Sequence, residues 1–266
     1  MNISEFNAFH MPALQRDEAR HNLILALLMR AAREDPAGQT RLWSFGEPGA
    51  CVVQSKDRGL VMGDLTPDQC RKLAEDVAGS RFRSVMGPDE TALRFVERAE
   101  ALGERFKPPM AQRIHALSGA PTYPGVPGAA RMVSAADADL FAEWFAAFII
   151  DAAPEDEIPA RDMMDRKAAS GDCLFWLVDD KPVAMAGIVR RTPNAAAIAL
   201  VYTPPHLRGR GYGGSATAAV VDKAHAEGLA MACLYTDLEN PAAIRCYSKI
   251  GFKPVCDGWF FPQGSE

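Results

Sequence analysis

No apolar stretch of this 266-residue chain approaches the roughly 20 residues that cross a bilayer; the runs at 23–29 and 144–150 span seven each. No membrane span or membrane partner is expected. A Cys-x-x-Cys pair is also missing. The six cysteines (Cys51, Cys70, Cys173, Cys233, Cys246, Cys256) are scattered, which argues against a disulfide framework and a zinc site alike. They should be reduced and mostly structural, with no metal. A basic excess is absent too: residues 1–128 hold 16 acidic and 16 basic side chains, residues 129–266 hold 18 and 13, and the net charge is −5. Nucleic acid is therefore not an expected partner. The first residues carry Glu5, Asp17 and Glu18 and no basic segment leading into a hydrophobic one, so they lack a secretory pattern and the expected location is cytoplasmic. What remains is an ordinary folding mixture, 48% hydrophobic and 24% charged. At about 150 residues per domain this length suggests two domains.

Residues 118–130, SGAPTYPGVPGAA, concentrate three prolines and three glycines without a charge. That is the composition of a linker or extended crossover, and it places a domain boundary near residue 128, dividing the chain into 1–128 and 129–266. In the first part, helical periodicity covers 16–33, alternation covers 41–45 and 50–55 around a turn at 46–49, and Thr66-Pro67 caps a helix reaching about residue 78. A strand over 82–86 stops at Gly87-Pro88 and feeds a helix through Leu102. In the second part a helix near 136–150 precedes three strands, 172–178, 183–189 and 195–203, joined by short turns into a meander. A glycine-rich loop, a helix over 214–227 ended by Gly228, a strand over 229–236, a short capped helix and a strand from Phe252 complete it. The implied class is mixed α/β.

The loop Pro204-Pro205-His206-Leu207-Arg208-Gly209-Arg210-Gly211-Tyr212-Gly213-Gly214 joins a strand to a helix. Glycines there permit positive φ and close approach of a ligand to the backbone, while the free N–H groups and positive dipole end of the helix form an anion site. Arg208 and Arg210 add charge at its rim. A P-loop would need Gly-Lys-Ser/Thr at the helix start, and no lysine precedes Lys223 after the loop begins. Gly209-x-Gly211-x-x-Gly214 does match the dinucleotide fingerprint, with Asp237 about 20 residues on, so an NAD-binding oxidoreductase competes. That fingerprint normally follows its strand directly, whereas residues 204–208 intervene here and an antiparallel meander comes first.

Arg208-x-x-Gly211-x-Gly213 between strand and helix resembles the acetyl-CoA motif of the GCN5-related N-acetyltransferases. Residues 237–247, DLENPAAIRCY, followed by Ile250-Gly251-Phe252, are similar to the second signature of that family. The resemblance covers roughly residues 129–266 and implies the acyl-CoA N-acyltransferase (GNAT) fold. It also implies acetyl-CoA as co-substrate, with the amides of Arg208, Gly209, Arg210, Gly211, Tyr212, Gly213 and Gly214 on the pyrophosphate. The backbone of Val201, Tyr202 and Thr203 would lie along the pantetheine arm, and Asn240 and Tyr247 nearer the thioester. The first part resembles, more faintly, a truncated GNAT-like domain, through 21–25 and 85–88.

Acyl transfer to an amine requires a neutral nucleophile, stabilisation of charge on the carbonyl oxygen and a proton donor for the departing thiolate. Tyr247 fits the donor, on a helix begun by Asn240-Pro241; a backbone N–H near Val201 or Tyr202 fits the oxyanion contact. The strand 195–201 departs from the family in lacking a carboxylate. Tyr202, His206, Asp237 and Glu239 are the titratable residues near it, with a water chain as the other candidate base. The acceptor is expected to be a small-molecule or peptide amine and the protein a monomer or homodimer. A non-catalytic acyl-CoA-binding or regulatory module is the alternative that the missing carboxylate favours. The stripe Trp144, Phe145, Phe148, Ile149 reads as core, Trp176 as core or pocket lining, and Arg190-Arg191 as a solvated pair.

Overall fold

The computed structural model describes residues 1–35, 38–56, 58–88, 90–152, 154 and 157–264. In chain order, α1 (Ile3–Leu14) and α2 (Asn22–Glu34) lead into β1 (Thr40–Ser44), β2 (Cys51–Ser55) and β3 (Leu60–Met62). Then follow α3 (Pro67–Val77), β4 (Ser84–Pro88), α4 (Thr91–Ala101) and β5 (Met110–Leu117). After β6 (Ala129–Met132) come α5 (Ala138–Ala152), α6 (Arg161–Ala168), β7 (Cys173–Val178), β8 (Lys181–Arg191) and β9 (Ala195–Tyr202). The chain ends with α7 (Tyr212–Ala226), β10 (Met231–Asp237), α8 (Pro241–Ile250) and β11 (Lys253–Pro262). These form two compact units, Met1–His115 with Tyr235–Asn240 and Pro254–Glu266, and Ala116–Leu234 with Pro241–Lys253. The composition break near residue 128 lies inside the second.

Each unit builds the same sheet pattern. In the first, β1, β2 and β3 make an antiparallel meander, β3 pairs parallel to β4, and β11 runs antiparallel to β4. In the second, β6, β7, β8 and β9 are antiparallel in turn and β9 pairs parallel to β10. A parallel pair needs a crossover, and a helix supplies it both times, α3 in the first unit and α7 in the second. Among the described residues the first unit has no strand in the place of β6. The mixed α/β class is therefore as the order of elements implied, and the shortened pattern in the first part of the chain is as the resemblance implied.

Local chemistry accounts for much of this. Thr66 Oγ1 accepts from the Gln69 N–H at 3.3 Å, Gln69 Oε1 accepts from the Thr66 N–H at 2.9 Å, and Pro67 opens α3 where no N–H is missed. The buried positions of α4, Ala92, Phe95, Val96 and Ala99, recur at helical spacing and pack with Leu73, Ala74 and Val77 of α3 in one core. Elsewhere the periodicity misleads. The helix expected from residue 16 starts at Asn22, after a 3₁₀ turn at Gln15–Asp17. Strand β4 continues through Gly87-Pro88, because Trp259 and Gly258 of β11 pair with those residues. Helix α7 begins at Tyr212, two residues before the position read from sequence. Helices α1 and α6 and strands β3, β5 and β6 are additional; β3 spans only three residues, too few to display an alternation. Arg191 is not merely solvated: its guanidinium lies 2.6 Å from Asp172 Oδ1 and 2.8 Å from Glu227 Oε2. None of the six cysteines is in a disulfide, and four of them are buried. Among the described residues no helix is long and apolar enough to cross a membrane.

His10 in α1 is fully buried. Its Nδ1 accepts from the Gly49 N–H at 3.1 Å, so Nε2 carries the proton and donates to Ser44 Oγ at 2.8 Å. This ring is neutral, and burial lowers its pKa. A histidine whose folded pKa lies below its unfolded value of about 6.5 contributes stability that is complete above that pH and is lost as pH falls toward the folded value. Urea midpoints should therefore fall between pH 7 and pH 5, above the carboxylate range, and fall less in His10→Gln. An equal fall in the variant would show that another group controls this limb.

Candidate functional site

The last strand of the second unit's meander is irregular where it matters. On β8 the step from Met185 to Gly187 is two residues, but their partners on β9, Tyr202 and Ala199, are three apart, so β9 bulges. Leu200 sits in the bulge with φ of +56°, a left-handed conformation that is an outlier for a branched side chain. The bulge reverses the alternation of the strand. Ala196 and Ile198 pack in the core around α7, yet Leu200 and Tyr202 pack in the opposite core with Phe141 and Trp144, and Val201 takes the α7 side. On its other edge β9 pairs with β10 only at Ala195, Ala196 and Ala197. Beyond Ala197 the two strands part, and among the described residues the edge of residues 198–202 has no strand partner there.

The chain leaves this edge through Thr203 and a 3₁₀ turn, Pro205–Leu207, into α7. Gly209 and Gly211 have φ of +77° and +88°, which glycine alone adopts without cost. Their turns leave a run of donors: among the described residues no amide of Gly209, Arg210, Gly211, Tyr212, Gly213 or Gly214 donates a hydrogen bond, and the first helical bond is Ser215 N–H to Gly211 O at 3.0 Å. Six bare N–H groups stand at the positive end of a 15-residue helix, donors with which an anionic group can pair. A Cβ on Gly213 would stand 3.0 Å from Thr203 Oγ1, so the helix approaches the strand end more closely than a larger residue allows.

The two arginines of the loop differ. Arg208 turns inward: Nε donates to Thr203 O at 2.9 Å, Nη2 pairs with Asp151 of α5, and its guanidinium covers the Tyr202 ring at 5.8 Å. It braces the loop and is half exposed. Arg210 is exposed, with Nη2 3.4 Å from His206 O.

The segment read as a linker is an ordered strap on this helix. Thr122 N–H donates to Ile250 O at 2.8 Å, the Tyr123 phenol donates to Asp222 Oδ2 of α7 at 2.6 Å, and Trp176 Nε1 donates to Pro127 O at 3.0 Å. Burial and the bond to Asp222 raise the Tyr123 pKa, which keeps the proton in place. Between these ties the strap lies on the loop: a Cβ on Gly211 would be 3.0 Å from Val126 and 3.2 Å from Pro124, and one on Gly214 would be 3.0 Å from Pro124 and 3.2 Å from Cys246 Sγ. Sequence reasoning found the composition of this segment but not its target. Trp176 is thereby a buried core residue.

Tyr247 lies on α8, partly buried, with its ring 6.0 Å from Phe252 and against the core that holds α7. Burial raises its pKa well above the usual phenol value, so it stays protonated. Its hydroxyl has no hydrogen-bond partner among the described residues. Of the other titratable candidates, Asp237 accepts the Glu239 N–H at 2.8 Å and its carbonyl accepts the Asn240 N–H at 3.0 Å, a turn at the end of β10. Tyr202 lies between Arg208 and Trp144, whose ring centroid is 5.8 Å away. His206 is exposed on the 3₁₀ turn. No carboxylate stands on β9. No cluster of three or more His, Cys, Asp or Glu able to hold a metal occurs among the described residues.

Residues 138–252 match the sequence profile of the Acetyltransferase (GNAT) family. No curated protein matches the chain. Among solved structures, a Drosophila protein superposes with a TM-score of 0.72 at 14% identity, over 98% of this chain and 97% of its own. A GCN5-related N-acetyltransferase from Kribbella flavida gives 0.59 at 20% identity, over 91% and 96%. Another from Sphaerobacter thermophilus gives 0.58 at 16%, over 89% and 84%. These likenesses concern the fold, and they extend over both units.

Proposed function

We propose, from the premise that residues 138–252 form a domain of the GNAT family, that this chain is an N-acetyltransferase that uses acetyl-CoA and an amine acceptor. Acyl transfer is the general chemistry of that family. The observation that carries the finer reading is the run of six unbonded amides at residues 209–214, directly after a strand whose outer edge is open from residue 198. Bare donors in that number fit the twin phosphates of a coenzyme, and an open strand edge beside them fits its extended amide arm.

Bound there, acetyl-CoA would supply an acyl carbon activated as a thioester. The protein's part follows from its own groups. The amides of 209–214 and the α7 dipole hold the phosphates, Arg210 adds charge, and Arg208 with Asp151 keeps the loop in shape. Backbone groups of Val201, Tyr202 and Thr203 align the arm, and an N–H near Val201 faces the carbonyl oxygen. Tyr247, protonated and without an internal partner, gives its proton to the departing sulfur. With no carboxylate on β9, the acceptor, a small-molecule or peptide amine in the cytoplasm, attacks directly in its neutral form and loses its proton to water.

The missing carboxylate also favours a second reading, a module that binds acyl-CoA without turning it over. Thermal shift and thiol release separate the possibilities. At 100 times its Kd, acetyl-CoA should raise the melting temperature by about 5 °C or more, since a ligand bound only to the native state stabilises it by about 2.7 kcal/mol. NADH should leave it unchanged. A shift with NADH alone would overturn coenzyme A binding; a shift with acetyl-CoA but no thiol release across an amine panel would favour the silent module.

A further inference from the structure

The first unit has an open cleft of about 930 Å³ at the end of its sheet where β4 begins and β11 ends. Three turns wall it: residues 79–83 after α3, residues 102–105 after α4 and residues 263–264 after β11. Glu104 ties them together, its Oε1 accepting from the Gly79 N–H and its Oε2 from Gln263 Nε2, both at 3.0 Å. Main-chain bonds add to the brace, with Gln263 N–H donating to Arg83 O at 2.9 Å and Gly264 N–H to Arg105 O at 2.8 Å. Arg81, Arg83 and Arg105 line the cleft, all three exposed. Glu104 is the one carboxylate among the lining residues, and both its oxygens are engaged. Among the described residues Arg81 and Arg105 form no ion pair; Arg105 spends only Nη1, on Glu104 O at 3.0 Å. Carbonyls that end α3 and α4 are in use, Val77 O by the Ser80 N–H, and Ala99 O and Glu100 O by the N–H groups of Glu104 and Gly103. The guanidinium charge is thereby left to the cleft.

We infer that this cleft binds a small soluble polyanion, an organic molecule carrying two or more phosphate or carboxylate groups. Like charges lining one cleft repel one another and focus a positive potential inside it, which a multiply charged anion relieves. The guanidinium fork pairs with phosphate and carboxylate oxygens alike. The volume is that of a small-molecule site, and it leaves room for the body of the molecule beside Leu102, an exposed apolar side chain of the wall. The site belongs to the first unit alone and stands independently of acyl transfer.

Calorimetric titrations of the full chain with pyrophosphate and with citrate test it, and the tighter of the two shows whether phosphate or carboxylate is preferred. At low salt at least one should bind with a Kd below about 1 mM, and its affinity should fall as salt is raised. Pyrophosphate can also pair with the bare amides of residues 209–214, so the assignment rests on variants of the cleft. Arg81→Gln and Arg105→Gln should each weaken binding about 3- to 10-fold, and the double variant by about 10-fold or more. Leu102→Glu, which sets a negative charge in the wall, should weaken it as well. Arg71→Gln, at an exposed arginine of α3 outside the cleft, should not. These side chains are all exposed, and thermal melts check that each variant folds. No binding of either anion, affinity and stoichiometry unchanged in the double variant, or an equal loss in Arg71→Gln would each overturn the inference. Because no readout involves coenzyme A or turnover, failure here leaves the acyltransfer reading untouched.

Discussion

Replacing Gly211 by alanine is expected to weaken acetyl-CoA binding at least about tenfold and to lower stability by about 1–3 kcal/mol. Two causes add at this position. Gly211 has φ of +88°, which costs any L-residue, and its new Cβ would stand 3.0 Å from Val126 and 3.2 Å from Pro124 of the strap. Neighbouring glycines separate the causes. Gly209 has φ of +77° but nothing within 4 Å of a Cβ, so Gly209→Ala carries the backbone cost alone. Gly214 lies inside the helix without positive φ, and Gly214→Ala crowds Pro124 and Cys246 only. Calorimetric titration with acetyl-CoA and urea melts should rank Gly211→Ala below both. If Gly211→Ala and Gly209→Ala behave alike, the strap has no part in shaping the loop.

The other large effect concerns Tyr247. Tyr247→Phe removes one hydroxyl without changing the ring contact to Phe252, and turnover should fall by about 10²-fold or more, the scale of a lost general acid. Affinity for acetyl-CoA should stay within about twofold, because the variant loses an interaction made as the sulfur departs. The raised pKa of the phenol has a signed consequence. A donor whose pKa is raised keeps its proton as pH climbs, so turnover of the wild type should not decline through the ordinary phenol range near about 10 on account of this group. Single-turnover thiol release against pH, in both proteins, is the measurement. Equal turnover in the variant would take Tyr247 out of the mechanism.

The strap and the bulge have a common significance for reading such sites. A glycine-rich turn before a helix signals that backbone donors are exposed, and residues 208–214 carried that signal plainly. It does not say what holds the turn in place. Here Pro124 and Val126 press on it from one side, and Arg208, tied to Asp151 and Thr203, braces it from the other. None of these partners is near the loop in sequence except Thr203. The bulge at Leu200 was equally hidden, since the alternation of 195–202 would place Leu200 beside Ile198, whereas one extra residue sends it to the opposite core.

What the chain's order of residues determined alone was local: the meander, from alternation and turn residues; α3, from Thr66, Pro67 and Gln69; the core stripe of α5, from helical spacing; and the tight turn before α7, from glycines at positions needing positive φ. What only the folded state decided was long-range. Tyr123 meets Asp222 across 99 residues, β9 and β10 part after three pairs, β4 runs on through Pro88 because β11 comes beside it, and Gln112 is left with an unmet carbonyl. Turn chemistry and periodicity act over a few residues, so they can be read along the chain. Packing and strand pairing join segments far apart, and their outcome depends on which surfaces the whole chain brings together.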